Sequence, residues 1–237
     1  MMRPMASTFT GFPKGGVEFF QALTMNMERE WFALHKGDYV RLWQEPMEAY
    51  LLAVQAGLKR AFPLGAKHPP KVMRIYRDVR FSKDKTPYKT SQSGMLPLFG
   101  QGNTMGSTGF YSEFGPSPFV AMGRWMMEPD ELLRFRRAIV SEKTGPAFAR
   151  AVATALKAGY QVSSAGVLKR VPKGFEAEHP RAALLKLKGF ALSFPKFPEK
   201  LLASPKLVDW VVERALAVKG LIQWVDAAIQ GGTLPKL

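Results

Sequence analysis

The densest chemistry in the chain lies in Arg74-Ile75-Tyr76-Arg77-Asp78-Val79-Arg80-Phe81-Ser82-Lys83-Asp84-Lys85-Thr86-Pro87-Tyr88-Lys89. Residues 67–89 hold eight Lys or Arg against two Asp, a local charge of +6 within a chain total of +15. Guanidinium groups grip phosphate or carboxylate with paired N–H donors, and a neighbouring carboxylate fixes their orientation. If this segment is a strand, Arg74, Tyr76, Asp78 and Arg80 share one face with heads about 7 Å apart, which makes an anion platform. An exposed charged face of weak Arg–Asp pairs would give the same pattern. Arg77 falls on the opposite face with Met73, Ile75, Val79 and Phe81. A cation there needs a route to solvent or a carboxylate partner, such as Glu113.

The turn Ser82-Lys83-Asp84-Lys85-Thr86-Pro87 adds hydroxyls, ammoniums and backbone N–H groups, the ingredients of a small anion-binding loop. Lys89 returns beside it. A second basic segment, residues 169–188, carries a charge of +4, and its turn Pro172-Lys173-Gly174 is read as closing over the first site. The predicted ligand-binding set is Arg74, Arg77, Arg80, Ser82, Lys83, Lys85, Thr86, Lys89, Arg170 and Lys173. If a reaction follows, Asp78 or Asp84 would be the base, the nearby cations the charge stabilisers and Tyr88 the acid. Against this, carboxylates among so many cations have depressed pKa values and make poor bases.

Other catalytic patterns fail. There is no cysteine, so disulfides, thiolate nucleophiles and zinc–thiolate sites are excluded. His35, His68 and His179 lack any zinc spacing, and no metal site is expected. The loop at 100–106 has one residue too many for G-x-G-x-x-G and lacks the lysine of a P-loop, so it reads as a flexible connection. No G-x-S-x-G elbow occurs, and no cofactor is assigned.

The elements that must position these residues follow from periodicity. Helices are expected over 17–27, from Arg29 through Leu42, and over 47–62, with Pro46 interrupting or restarting the run. A loop at 63–70 leads to a strand over 71–81, a weaker strand over 88–99, and a hairpin of 109–114 and 119–127 around Gly115-Pro116-Ser117-Pro118. Helices return at Pro129 and Pro146, with Gly159 ending the second. Short strands are expected in 160–171 and 189–194, with a short helix through Leu184 and Leu185. Ser204-Pro205 opens a last helix running to Gln230, bent at Gly220 and closed by Gly231-Gly232. Helices, then antiparallel strands, then mixed elements make an α+β fold: one domain over 1–237, helical over 16–62, sheet-rich over 71–127 and mixed over 128–237, with the sheet covered by N-terminal and C-terminal helices.

The length suits one large domain or two small ones, and the 46% hydrophobic and 22% charged contents are ordinary. The charge of +15 favours nucleic acid, phosphorylated metabolites or an anionic membrane surface as partners. It also serves solubility alone. Residues 1–8 lack an apolar signal-peptide core, and no apolar run approaches the roughly 20 residues that span a bilayer. A cytoplasmic protein is the expectation.

The run from Tyr76 to Thr90 resembles the signature of a family catalogued as domain of unknown function 2461. Asn26 through Trp31-Phe32 agrees with it, as do Leu168-Lys169-Arg170-Val171-Pro172-Lys173-Gly174-Phe175, His179-Pro180 and Leu184-Leu185-Lys186. Their order and spacing extend the resemblance over nearly the whole chain. It implies a single domain and carries over no activity. The chain departs from the family's more Gly-rich pattern between Gly123 and Glu128, where Arg124-Trp125-Met126-Met127 are bulky; a pocket lined by that segment would be smaller or differently selective.

Three functions follow. The preferred one is a basic pocket for a small phosphate- or carboxylate-bearing ligand, with or without catalysis. The second is a nucleic-acid-binding module with Tyr76, Tyr88, Tyr111 and Trp125 as stacking rings. The third is a scaffold whose motif is a structural ion-pair network.

Overall fold

A computed structural model describes residues 8–100 and 106–237, so most of the loop at 100–106 lies outside the described residues. Helix α1 (Gly16–Met25) buries Phe19, Phe20 and Leu23 and ends at Asn26, whose side-chain amide donates to the Ala22 carbonyl (2.8 Å). Helices α2 (Arg29–Tyr39) and α3 (Glu45–Leu58) are joined without a break by a π-helical turn, Val40–Gln44. Pro46 therefore does not end the helical run. Its ring cannot sit in a tight helical turn, and the widened turn just before it accommodates the missing N–H. That turn aims Trp43 inward, where it stacks on Phe20 and donates to the Gly16 carbonyl (2.8 Å).

Strand β1 (Lys71–Val72) is followed by the sheet's long members, β2 (Gln92–Pro97), β3 (Gly109–Phe114) and β4 (Phe119–Arg124). Helix α4 (Pro129–Val140) starts at a capping box between Glu128 and Glu131, with Pro129 in its first turn. Helix α5 (Gly145–Lys157), strand β5 (Gln161–Ser163), helix α6 (Ala182–Leu185), strand β6 (Phe190–Ser193) and helices α7 (Lys206–Ala217) and α8 (Lys219–Gln230) complete the order. The expected C-terminal helix is two helices: the chain leaves helical geometry at Val218 (φ −110°, ψ 9°), two residues before the anticipated bend. Gly231 adopts φ 71° and closes α8, a conformation that costs a side-chain-bearing residue more than glycine.

The sheet runs β1-β2-β3-β4-β6-β5, antiparallel throughout. The hairpin of β3 and β4 forms where alternation predicts it. The strand over 71–81 does not: it ends at Val72, and Phe81, expected on an apolar face, is 96% exposed.

Directly opposed residues share a sheet face, so the register sorts every strand position. One set is Gly94, Leu96, Phe110, Ser112, Phe114, Met122, Phe190 and Leu192. It meets the helices: a Cβ on Gly94 would strike Leu51 of α3, Tyr50 hydrogen-bonds Ser112 (2.9 Å), and Phe148 of α5 packs on Phe190 and stacks on Trp224 of α8. The core lies here, each large side chain worth about 1.5–3 kcal/mol of burial. The other set, Ser93, Met95, Gly109, Tyr111, Glu113, Ala121, Gly123, Ala191, Ser193 and Ser163, faces away from those helices.

Candidate functional site

Beyond β1 the chain keeps pairing irregularly with the segment that enters β2. Met73 N–H donates to the Ser93 carbonyl (2.9 Å), Lys89 N–H to Ile75 (2.8 Å) and Arg77 N–H to Pro87 (2.8 Å), with Tyr76 opposite Tyr88. Pro87 returns no donor, and regular pairing stops there. Residues 78–86 form an excursion braced by their own charges. The Arg77 guanidinium donates to the Asp84 carboxylate and the Thr86 hydroxyl, and Asp84 also accepts from the Thr86 N–H (2.9 Å). Lys85 Nζ donates to the Val79 carbonyl (2.9 Å). Arg80 clasps Asp78 through Nε (2.9 Å) and Nη2 (2.7 Å).

These partners change the chemistry expected of the motif. Arg77 is paired with Asp84, seven residues along the chain, and not with Glu113. Arg77 hydrogen bonding holds Asp84 at about 2, and Arg80 hydrogen bonding holds Asp78 at about 2. Both are fully ionised at neutral pH and too weakly basic to abstract a proton. Tyr88, the expected acid, is buried with its ring stacked on Phe32 (4.4 Å), and burial raises its pKa further. Arg74, Arg80, Lys83 and Lys85 are exposed rather than gathered, and Ser82 is half-buried in the bend.

Arg170 and Lys173 are exposed too, in the segment between β5 and β6, where Val167 bridges Leu187. Those strands form the edge of the sheet opposite β1, about 24 Å away across five strand spacings. The turn at 172–174 thus belongs to a connection between strands on the opposite side of the sheet from the first basic segment.

Two clefts open on the face of the sheet turned away from the helices. The larger-mouthed one, about 520 Å³, is bordered by Arg77, Asp84, Thr86, Tyr88, Lys89, Tyr111 and Glu113. The other, about 400 Å³, is a trough along the sheet itself. Its floor is Gly109, Ala121, Gly123 and Ala191, its walls Met73, Met95, Phe119 and Trp125, and its hydroxyls Ser93, Ser107, Ser163 and Ser193. Both volumes fall in the roughly 300–1,000 Å³ range of small-molecule sites. Gly123 is required where it stands: at φ 141° its Cβ would lie 2.4 Å from the Phe190 carbonyl oxygen.

Lys89 and Tyr111 border both clefts. The Tyr111 hydroxyl donates to Glu113, which also accepts from Ser91 Oγ (2.8 Å), and burial drives the Tyr111 pKa upward. The half-buried Lys89 ammonium makes no hydrogen bond or ion pair with any described residue. Partial burial lowers its pKa, opposed by the negative field of Glu113 and reinforced by Arg74. Of the ten ligand-binding residues expected from the sequence, the clefts bring together Arg77, Thr86 and Lys89.

His35 stacks on Trp31 with ring centroids 4.0 Å apart, and His179 accepts the Arg181 N–H (3.0 Å). Among the described residues no group of three His, Asp or Glu converges as a metal site would require, and no helix is long and apolar enough to cross a membrane.

The sequence matches the family described as Conserved hypothetical protein (DUF2461) over residues 16–224. The chain belongs to this family. No curated protein and no solved structure matches it. Residues 123–128, where the sequence reading expects a departure from the family's pattern, contribute Gly123 and Trp125 to the trough. The small residues of the trough floor were missed in the sequence, whereas Lys89, Tyr111 and Trp125 were named, because small side chains alternating along three separate strands spell no motif until the register aligns them.

Proposed function

We propose that this domain binds a small amphipathic ligand bearing a carboxylate or phosphate, its anion at Lys89 and its apolar body in the trough. The observation that carries this reading is the half-buried Lys89 ammonium, without a partner of its own, at the junction of the two clefts. A cation drawn partly out of water without a hydrogen bond or ion pair is costly, and a bound anion relieves that cost. The Ser93 hydroxyl stands along the same rim, whereas the Tyr111 hydroxyl is committed to Glu113. The basic excursion at 78–86 has a supporting role in this reading: its Arg77–Asp84–Thr86 cluster walls the wider cleft, and its outer cations raise the local concentration of anions.

One observation favours a second reading. Phe81 is 96% exposed and Arg80, Lys83 and Lys85 are exposed beside it, a combination that suits stacking on single-stranded nucleic acid. Tyr88 does not join that surface, being buried, and Tyr111 is tied to Glu113.

Thermal-shift titration of the full chain and of Lys89→Met, with a panel of small carboxylic acids and phosphate esters and with a single-stranded oligonucleotide, separates the two. The pocket reading expects saturable stabilisation by a small acid, lost in Lys89→Met and nearly unchanged between 50 and 200 mM salt. Stabilisation by the oligonucleotide alone, collapsing by orders of magnitude over the same salt range as counterion release requires, would replace it with the second.

A further inference from the structure

An acid held at Lys89 needs the ammonium. The same nitrogen, once it has lost a proton, is a nucleophile, and that second chemistry does not depend on an acid binding there. Nucleophilic lysines sit partly desolvated in a cleft or beside another cation, without an ion pair that would hold the proton in place. Lys89 is half-buried, borders both clefts and makes no hydrogen bond or ion pair with any described residue.

The charged groups nearby act on it with opposite signs. Burial is the main cause of its lowered pKa, the positive field of Arg74 adds to it, and the negative field of Glu113 opposes it. Arg77 and Asp84, which border the wider cleft, neutralise one another. Tyr88 and Tyr111 are uncharged at neutral pH, because burial raises both.

The product of a carbonyl addition suits this position better than the ammonium does. An ammonium presents three N–H donors, and none finds a partner among the described residues. An iminium keeps the positive charge, so the field of Glu113 still favours it, but it presents a single N–H. Fewer donors then depend on the water that a half-buried head can reach. The Lys89 nitrogen pair forms a C–N bond to the carbonyl carbon as the π pair moves to oxygen. That oxygen leaves as water with the two amine hydrogens, and the C=N nitrogen takes up one proton.

The register says which wall the carbonyl compound meets. Lys89 precedes Ser93 on the chain that enters β2, so it reaches the trough at the end where the Met73 N–H bonds the Ser93 carbonyl. Met95 and Tyr111 stand one step further, about 7 Å along the strands, and the small residues Gly109, Gly123 and Ala191 lie beyond them. The wall nearest the amine is therefore the Met73 and Met95 thioethers and the Ser93 hydroxyl, which suits a short apolar chain.

We infer that Lys89 captures a small neutral aldehyde or ketone reversibly as an iminium, with a short apolar chain of that compound lying against Met73 and Met95.

The test is reductive trapping on the full chain: butanal or glyceraldehyde with cyanoborohydride at neutral pH, the adduct located by peptide mass spectrometry and the exposed Lys83 serving as internal reference. Lys89 should be labelled at least about tenfold faster than Lys83, its rate should saturate with butanal, and the ratio of the two rates should fall to about one in denaturant. Glyceraldehyde should give a smaller ratio than butanal. In the rate–pH profile at Lys89, Glu113→Gln should move the midpoint down, because it removes the field that holds the proton, and Arg74→Gln should move it up. A Lys89 rate no greater than that of Lys83, or a ratio that survives denaturant, overturns the inference. A glyceraldehyde ratio equal to that of butanal overturns the apolar chain. Thermal stabilisation by carboxylic acids with slow trapping at Lys89 overturns the capture and leaves the anion site standing, whereas fast trapping with no effect of acids supports the capture and removes the anion site.

Discussion

The two faces of this sheet are made by the same strands and differ in almost everything else. Toward the helices, β3 and β6 present Phe110, Phe114 and Phe190, each fully buried against aromatic partners. Away from the helices the same strands present Gly109, Tyr111, Ala191 and Ser193, and the result is a trough. Bulk on one face secures the fold, while its absence on the other leaves room for a ligand. The comparison teaches where charge matters. On the helix side the pair Arg124–Glu131 is almost enclosed (2.6 and 2.7 Å), and Arg124 Nε and Nη1 have no hydrogen-bond partner among the described residues, so its charge is expensive to disturb. On the other side the many cations of the excursion are mostly solvated and individually cheap.

The sharpest break comes on the helix face. Phe110→Ala should cost about 3–5 kcal/mol by opening a cavity in the core, read as a fall in the denaturant midpoint at unchanged slope. Glu131→Ala is expected to follow at about 3–5 kcal/mol or somewhat below, because it removes the ion-pair partner of the buried Arg124 and half of the α4 capping box. A loss under 1 kcal/mol in either variant would erase the distinction between the faces.

On the open face the effects are smaller and change sign. Lys89 has a lowered pKa, so the folded state binds its proton less readily than the unfolded state does. The cost of that charge is therefore fully present below the folded pKa and is relieved as pH rises through it toward the ordinary lysine value. Lys89→Met should raise the melting temperature at neutral pH by about 1–3 °C and remove this part of the rise in stability with pH. Anion binding should weaken over the same alkaline interval in the unmodified protein, beginning below the pH at which an ordinary lysine deprotonates.

The excursion supplies the smallest effects. Lys83→Ala and Arg80→Ala should each change stability by no more than about 0.5 kcal/mol. Asp84, with its pKa lowered to about 2, contributes stability present above the unfolded value and lost as pH falls through about 2. Its carboxyl resonance should titrate near that pH, and Arg77→Ala should return the midpoint toward the ordinary aspartate range of about 3.9.

Much of the architecture is legible in the chain before it folds. The Phe20–Leu23 spacing, the Pro129 and Pro146 starts, the Gly-Pro-Ser-Pro hairpin and the closing Gly231 are local signals, and each lies where local stereochemistry requires it. The motif at 74–89 was legible as a cluster of charges but misleading as a strand. Alternation of polar and apolar residues persists there without a partner to pair with beyond Arg77, and Pro87 withholds the donor that pairing needs. Arg77 was read as a cation needing either a route to solvent or a carboxylate such as Glu113, and the turn supplies Asp84 instead.

By itself the sequence determined the α+β class, the absence of thiol chemistry, the excess of positive charge and the family, because composition and near-neighbour preferences need no third dimension. Only the tertiary structure decided that Lys89 is half-buried with no ion pair among the described residues, and that small residues from separate strands lie side by side as a floor. Both depend on strand register and on which face the helices cover, and those are set by contacts between residues tens of positions apart.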